Sequence, residues 1–334
     1  MLSAHPTDVL DLCIIGGGPV GLFAGYYAGL RKMSMCIIDS LDALGGQLTV
    51  LYPEKYIYDV AGFPKILAKD LARNLIEQVM QYQPHIRLGQ RVHELTYDEP
   101  TRIFTINSDH GHYRTRAIVI AAGIGSFTPK TLTIPGAEQY VGHGLYYSVP
   151  HVEPFLRQKV LIVGGGDSAV DWANALVTVA DSVTLIHRRD GFRAHEESVA
   201  KMRQSDAKLM LFHELKSLHG VGRVERAVIY DNRTKNEQSL DVDAVLVNIG
   251  YDSSLGPITH WGLDLDHGKI KVDTRMHTSR PGVFAAGDVA THPGKLNLIA
   301  TGFGEAAVAV NFAKVWMDPS AKAFPGHSSE IVKG

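Results

Sequence analysis

Two glycine clusters carry most of the chemistry this chain can do. The first, Gly16-Gly17-Gly18-Pro19-Val20-Gly21, follows the apolar run Val9 to Ile15 and precedes small and apolar residues from Leu22 to Leu30. Strand, tight turn and helix in that order build a phosphate cradle. Gly16 permits the turn, Gly18 lets a diphosphate approach the backbone, and Gly21 lets the helix pack closely on the strand. The helix start turns its unpaired N–H groups and the positive end of its dipole toward the phosphates. A second apolar run, Met35 to Ile38, ends at Asp39, 18 residues beyond Gly21. An acid at that strand tip accepts hydrogen bonds from a ribose diol. The first set of nucleotide ligands is therefore Gly16, Gly18, Pro19, Gly21 and Asp39.

The same grammar returns at Gly164-Gly165-Gly166-Asp167-Ser168-Ala169, after the apolar Lys159 to Val163 and before a helix expected from about Val170 to Val179 and a strand from Val183 to Ile186. Gly164, Gly166, Asp167, Ser168 and Ala169 form the second cradle. The position equivalent to Asp39 is His187, followed by Arg188 and Arg189. A carboxylate there would repel a ribose 2′-phosphate, whereas guanidinium groups match its oxygens with planar, permanently charged forks. The second site is thus expected to prefer NADP(H) to NAD(H), with Arg193 joining the cluster. Two dinucleotide folds imply two dinucleotides, and a hydride donor is usefully paired with a flavin that passes electrons onward.

The elements that position these residues repeat as a pair. Each βαβ unit is echoed by a later apolar strand closing on glycine, Ala117 to Gly123 after the first and Ala244 to Gly250 after the second. This is an internal duplication. A third such segment, Gly282 to Asp288, follows the second unit and is most economically returned to the first domain. The expected fold is α/β, with two Rossmann-like, three-layer ββα dinucleotide-binding domains, the second inserted into the first. Residues 1–123 and 253–334 would hold the flavin and residues 128–250 NADP(H). Two crossings near Gly125 and Tyr251 would join them and act as a hinge. Phe104 to Ile106, a polar loop Asn107 to His112 and a return through Tyr113 suggest a β-meander that serves as scaffold.

Composition sets the outer limits. A chain of 334 residues that is 45% hydrophobic buries a substantial core and suits two domains. A net charge of −2 argues against nucleic acid as a partner. Only Cys13 and Cys36 occur, both in apolar runs that read as neighbouring buried strands, so neither a disulfide framework nor a cysteine-rich metal site is available. They suggest a reducing compartment, and the cytoplasm is the expected location. No apolar stretch approaches the roughly 18 residues of a membrane span, and the N-terminus lacks the pattern of a secretory signal. Among sixteen histidines, His110-Gly111-His112 is the tightest pair and reads as a solvated loop without a metal.

These residues resemble the thioredoxin-reductase-like flavoproteins over almost the whole chain. The resemblance rests on Gly16 to Gly21, Gly45-Gly46-Gln47, Gly164 to Ala169, His187-Arg188-Arg189 and Val283 to Asp288. It implies FAD in the first domain, NADPH in the inserted one, and Gly287-Asp288 at the ribityl-phosphate region of FAD. Where those enzymes carry Cys-x-x-Cys, this chain has approximately Tyr147-Ser148-Val149-Pro150, which excludes the usual route to thioredoxin. One branch lacks the cysteines and adds a C-terminal tail, and Leu51-Tyr52-Pro53-Glu54-Lys55-Tyr56 and Phe324-Pro325-Gly326-His327-Ser328-Ser329 resemble its pattern. That branch is the ferredoxin/flavodoxin–NADP+ reductases of the thioredoxin-reductase type. It implies Tyr52 stacked on one face of the isoalloxazine, His327 over the other, and a homodimer. It also implies Gln47, Val92, Phe127 and Ser329 as further flavin contacts.

The implied reaction is hydride transfer between NADPH and FAD coupled to one-electron transfer to or from ferredoxin or flavodoxin. An NADPH oxidase or diaphorase giving electrons to oxygen or quinones remains an alternative, as does a nucleotide-binding regulatory protein.

Overall fold

The computed structural model describes residues 9–149 and 151–327. The chain divides into two compact units, one of residues 1–49, 56–126 and 253–334, the other of 50–55 and 127–252.

The first unit opens with β1 (Val9–Ile15), α1 (Pro19–Leu30) and β2 (Met35–Ile38), followed by the one-turn α2 (Gln47–Val50) and the short pair β3 (Tyr56–Ile57) and β4 (Ile66–Leu67). Then come α3 (Ala68–Met80), β5 (His85–Arg87), β6 (Val92–Asp98), β7 (Ile103–Ser108) and β8 (Gly111–Ile120). Strands β5, β2, β1 and β8 run parallel, and β7 and β6 continue the sheet antiparallel. Leu12 to Ile15 and Met35 to Ile38 are buried throughout, as expected of parallel strands covered on both faces. The β7–β8 hairpin is tighter than the sequence suggests. Asn107 pairs with His112 and Ser108 with Gly111, so His112 belongs to a strand rather than a loop.

Helix α1 is rich in glycine because its neighbours leave no space. A Cβ on Gly25 would lie 2.8 Å from Val79 Cγ2, and one on Gly29 would lie 2.1 Å from the Tyr82 ring. The roughly 1 kcal/mol each glycine costs a helix is the condition for that close packing.

The chain enters the second unit along β9 (Ser126–Pro129) and builds β10 (Leu145–Tyr146), β11 (Lys159–Gly164), α4 (Asp167–Leu176), β12 (Ser182–His187), α5 (Glu196–Gln204) and β13 (Lys208–Leu211). Three antiparallel strands follow, β14 (His213–His219), β15 (Arg226–Asp231) and β16 (Glu237–Asp241), and then β17 (Ala244–Asn248). The parallel sheet has the order β10-β17-β11-β12-β13. On one face Ile162, Leu185 and Leu246 pack with Val170, Trp172 and Leu176 of α4. On the other, Leu161, Ile186 and Val245 pack with Leu215, Ala227 and Ile229 of the antiparallel strands. That is a three-layer arrangement whose alternating side chains feed two separate cores.

The chain leaves along β18 (Tyr251–Ser254), which pairs with β9. It completes the first unit with β19 (Leu265–Asp266), β20 (Lys269–Lys271), β21 (Val283–Ala285), β22 (Ala290–Thr291) and α6 (Ile299–Met317). Strand β21 lies parallel to the second half of β8, so the third glycine-ended segment joins the first sheet. Among the described residues no helix is long and apolar enough to cross a membrane.

Candidate functional site: two dinucleotide cradles

Hard contacts explain why each glycine of the first cradle is glycine. A Cβ on Gly16, whose φ is +110°, would lie 2.3 Å from the Ala121 carbonyl oxygen, and one on Gly21 would lie 1.8 Å from the Gly16 carbonyl oxygen. Gly18, extended at φ −74° and ψ −176°, starts α1 with Pro19 in the first turn, and among the described residues no side chain caps that end. A second glycine loop backs it. Gly45 donates to the Gly17 carbonyl at 2.8 Å, and a Cβ on Gly46 would fall 2.8 Å from Gly18 Cα. Two stretches of bare backbone thus meet at an uncapped helix end, which fits a diphosphate.

Asp39 ends β2 beside that turn. Oδ2 accepts the Gly17 N–H at 2.5 Å and Oδ1 the Leu41 N–H at 2.8 Å. Burial pushes its pKa up, and the Leu41, Gly17 and Ser40 amides pull it back. Each oxygen keeps a lone pair for a ribose hydroxyl. The next strand along is tied to the same place, because Gln90 donates to the Asp39 carbonyl at 2.9 Å. Val92, buried at the start of β6, follows two residues later. The Gln47 amide faces Gly123 at the end of β8, where a Cβ would sit 3.3 Å from Nε2. Gly287, at φ +80°, packs on Val20 in the first turn of α1, and half-buried Asp288 is the next residue.

The second cradle repeats the geometry with different edges. A Cβ on Gly164 would strike the Asn248 carbonyl at 2.3 Å, while Ala169 stands where the first unit has Gly21. Gly166 is extended and starts α4, again with no side-chain cap among the described residues. The turn after β12 folds back on the glycines, with Arg193 donating to the Gly165 carbonyl at 2.8 Å and His195 N–H to Asp167 at 3.0 Å.

The basic cluster is divided by this turn. Arg188, Arg189 and Arg193 are exposed, as charges that meet a phosphate should be. His187 is turned inward, with Nε2 donating to the Gly191 carbonyl at 3.1 Å and its ring stacked on Phe192 at 5.3 Å. Desolvation, then repulsion from Arg188 and Arg189, lowers its pKa against the opposing Gly191 bond. His187 therefore shapes the loop as a neutral ring.

The Val50–Lys55 segment clusters with the second unit. Ser148 Oγ donates to the Val50 carbonyl at 3.1 Å, and Lys55 lies 3.5 Å from Asp167 and 3.8 Å from Asp171 on α4. Tyr52, half-buried, lines a small cleft with Pro53, Ser168, Asp171 and Trp172. Burial raises the Asp171 pKa, and the Lys55 charge opposes the rise. This ion-paired attachment escaped the sequence reading because nothing local links a lysine to acids more than 110 residues away in a chain of 334. His327, exposed, makes an edge contact with Phe324 at 5.5 Å. Phe127 lies on β9, and Ser329 falls outside the described residues. No cluster of metal-binding side chains occurs among the described residues.

The chain belongs to the pyridine nucleotide-disulphide oxidoreductase family, whose model matches residues 10–312. Among solved structures it is similar to T. acidophilum thioredoxin reductase, with a TM-score of 0.75 and 26% identity, over 93% of this chain and 98% of that one. It is 49% identical to a ferredoxin–NADP reductase of Thermus thermophilus over 98% of both chains. It is 52% identical to one of Sulfurisphaera tokodaii over 97% of this chain and 98% of that protein.

Proposed function

We propose that this chain is an FAD-dependent NADPH reductase that exchanges electrons with a ferredoxin or flavodoxin, working as a cytoplasmic homodimer. One observation carries the reading: the fold of a thioredoxin reductase is kept while its thiol relay is gone. The only two cysteines, Cys13 and Cys36, are sealed in β1 and β2 at 0% and 1% exposure. A flavin in this scaffold must deliver electrons to a partner directly, which agrees with the names of relatives about half identical over nearly their full length.

FAD supplies a centre that takes a hydride and gives up electrons singly. Gly16, Gly18 and Gly21 with the start of α1 hold its diphosphate, Pro19 sets the first helical turn, Asp39 orients the ribose, and Gly287-Asp288 lie at the ribityl-phosphate region. Gln47, Val92, Phe127 and Ser329 complete that site, and Tyr52 and His327 cover the two ring faces and exclude water. Gly164, Gly166, Asp167, Ser168 and Ala169 receive the NADPH diphosphate, and Arg188, Arg189 and Arg193 take the 2′-phosphate beside His187. No side chain needs to act as acid, base or nucleophile, because the residues position two rings.

The test is stopped-flow absorbance with NADPH and with NADH, followed by ferredoxin-dependent cytochrome c reduction. Fast flavin bleaching by NADPH, slower bleaching by NADH, and cytochrome reduction that requires ferredoxin are expected. Rapid oxygen consumption that ferredoxin does not increase would replace this reading with an oxidase. Ultracentrifugation gives the subunit number.

A further inference from the structure

Helix α6 carries a charge in a place where an apolar residue would fit its surroundings. Glu305 lies in the apolar middle of the helix and is 6% exposed. Its Oε2 accepts the Gly287 N–H at 2.8 Å. The Lys295 ammonium, on a side chain itself 6% exposed, lies 2.6 Å from Oε1 and 2.5 Å from Oε2. His292 Nε2 lies 3.2 Å from Oε1. A buried ion pair is weak evidence for stability, since its desolvation cost rivals its attraction and apolar replacements often do as well. The knot calls for a more specific role.

Its surroundings point to one. Gly287 holds φ +80°, and a Cβ there would lie 3.0 Å from Val20 Cγ2. Gly302, one turn before Glu305 on α6, would place a Cβ 2.4 Å from the same atom and 3.4 Å from Gly287 Cα. Val20 belongs to the first turn of α1, the helix start that faces the diphosphate in the reading above. Glu305 thus holds the amide of Gly287, the residue immediately before Asp288.

We propose that Glu305 is a positioning residue for the flavin, with Lys295 as its buried counter-ion: it fixes the Gly287 amide and so helps to place Asp288 in the ribityl-phosphate region of FAD, where a carboxylate can accept from a hydroxyl. The inference rests on the reading that FAD occupies the first unit. A carboxylate suits the task because its two oxygens accept from the amide and the ammonium together while its charge balances the buried Lys295.

Two double variants separate this role from a merely structural one. Lys295→Met with Glu305→Gln removes both charges and keeps an oxygen for the Gly287 N–H, whereas Lys295→Met with Glu305→Met removes that acceptor too. FAD release from each holoenzyme is followed by the rise in flavin fluorescence, and the flavin midpoint potential is measured alongside thermal unfolding. The methionine pair is expected to release FAD on the order of tenfold faster, a change worth about 1.4 kcal/mol, and to shift the potential, with the unfolding temperature held. The glutamine pair is expected to remain near wild type in release and potential. Equal release rates and potentials in all three proteins would overturn the proposal, as would losses in both variants that only track unfolding. A wild-type protein that binds no FAD would instead sink the cofactor reading beneath it.

Discussion

The imidazole of His187 lies so close over Gly165 that a Cβ on the glycine would sit 2.1 Å from its Cε1. The ring is held by the Gly191 carbonyl and by Phe192, so it has little room to withdraw. Gly165→Ala is therefore expected to expel the imidazole, at about 1–3 kcal/mol of stability, and to loosen the turn that carries Arg188, Arg189 and Arg193. Denaturant unfolding and NADP+ titration of the variant are the measurements. Unchanged values in both would show that the ring moves aside freely.

The same packing fixes a direction of pH dependence. Desolvation and the neighbouring arginines lower the His187 pKa below its ordinary 6.5. The unfolded chain then takes up this proton at a higher pH than the folded one does. Stability contributed here is complete above about pH 6.5 and is lost as pH falls from there toward the folded-state pKa. The His187 ring proton followed by NMR should titrate with a midpoint below 6.5, and His187→Phe should flatten the stability profile in that window. A midpoint above 6.5 would contradict the packing described.

Arg188→Ala and Arg189→Ala test the second cradle's choice of nucleotide. Each removes a permanent charge from the exposed rim, and a charge-assisted hydrogen bond is worth about 1.5–3 kcal/mol. The expected result is a loss of kcat/KM with NADPH on the order of tenfold to a hundredfold, with NADH nearly unaffected because it has no 2′-phosphate. Parallel losses with both nucleotides would move the phosphate site elsewhere.

Much of this arrangement is legible in sequence because its signals are local. The Gly16–Gly21 and Gly164–Ala169 turns each follow an apolar strand and start a helix, and the spacing to Asp39 and His187 survives folding unchanged because a βαβ unit is a short, stiff element. Two kinds of feature are not local. Lys55 meets Asp167 and Asp171 across more than a hundred residues, and Glu305 meets Lys295 and Gly287 through a turn whose shape only the folded chain defines. His187 reads in sequence as part of a basic cluster with Arg188 and Arg189, yet in the fold its ring packs inward over Gly165, bonded to the Gly191 carbonyl and stacked on Phe192. The available signal for Glu305 is compositional, an acid in the apolar middle of a nineteen-residue helix.

Cys13 and Cys36 stand in direct register on β1 and β2, with their sulfurs 3.1 Å apart. Burial, and after it the contact with the Cys36 sulfur, push the Cys13 pKa well up, so the thiolate that would exchange with a disulfide is suppressed. A water-soluble disulfide reagent should therefore modify neither thiol in the native protein over minutes and both after denaturation. The variant with Cys13→Ala and Cys36→Ala should lose about 1–3 kcal/mol of stability from the small cavities and keep its ferredoxin-dependent turnover per bound flavin. Loss of turnover with the flavin retained would restore a thiol relay to the mechanism.

The two cradles also make opposite demands at one equivalent position. In the first unit a Cβ on Gly21 would fall 1.8 Å from the Gly16 carbonyl oxygen, a backbone atom that cannot rotate away. In the second unit that position is Ala169, fully buried, with its methyl group accommodated. The first helix therefore approaches its strand more closely than the second does. Gly21→Ala must part α1 from β1, which should cost about 3 kcal/mol or more and abolish flavin retention, since the same backbone forms the diphosphate turn. Ala169→Gly loses one buried methyl and about 1 kcal/mol of helix propensity, and NADPH binding should survive. Flavin content after purification and nucleotide affinity read the two effects separately. A Gly21→Ala protein that keeps its flavin and its unfolding temperature would show that the close approach of helix and strand is not what the first site requires.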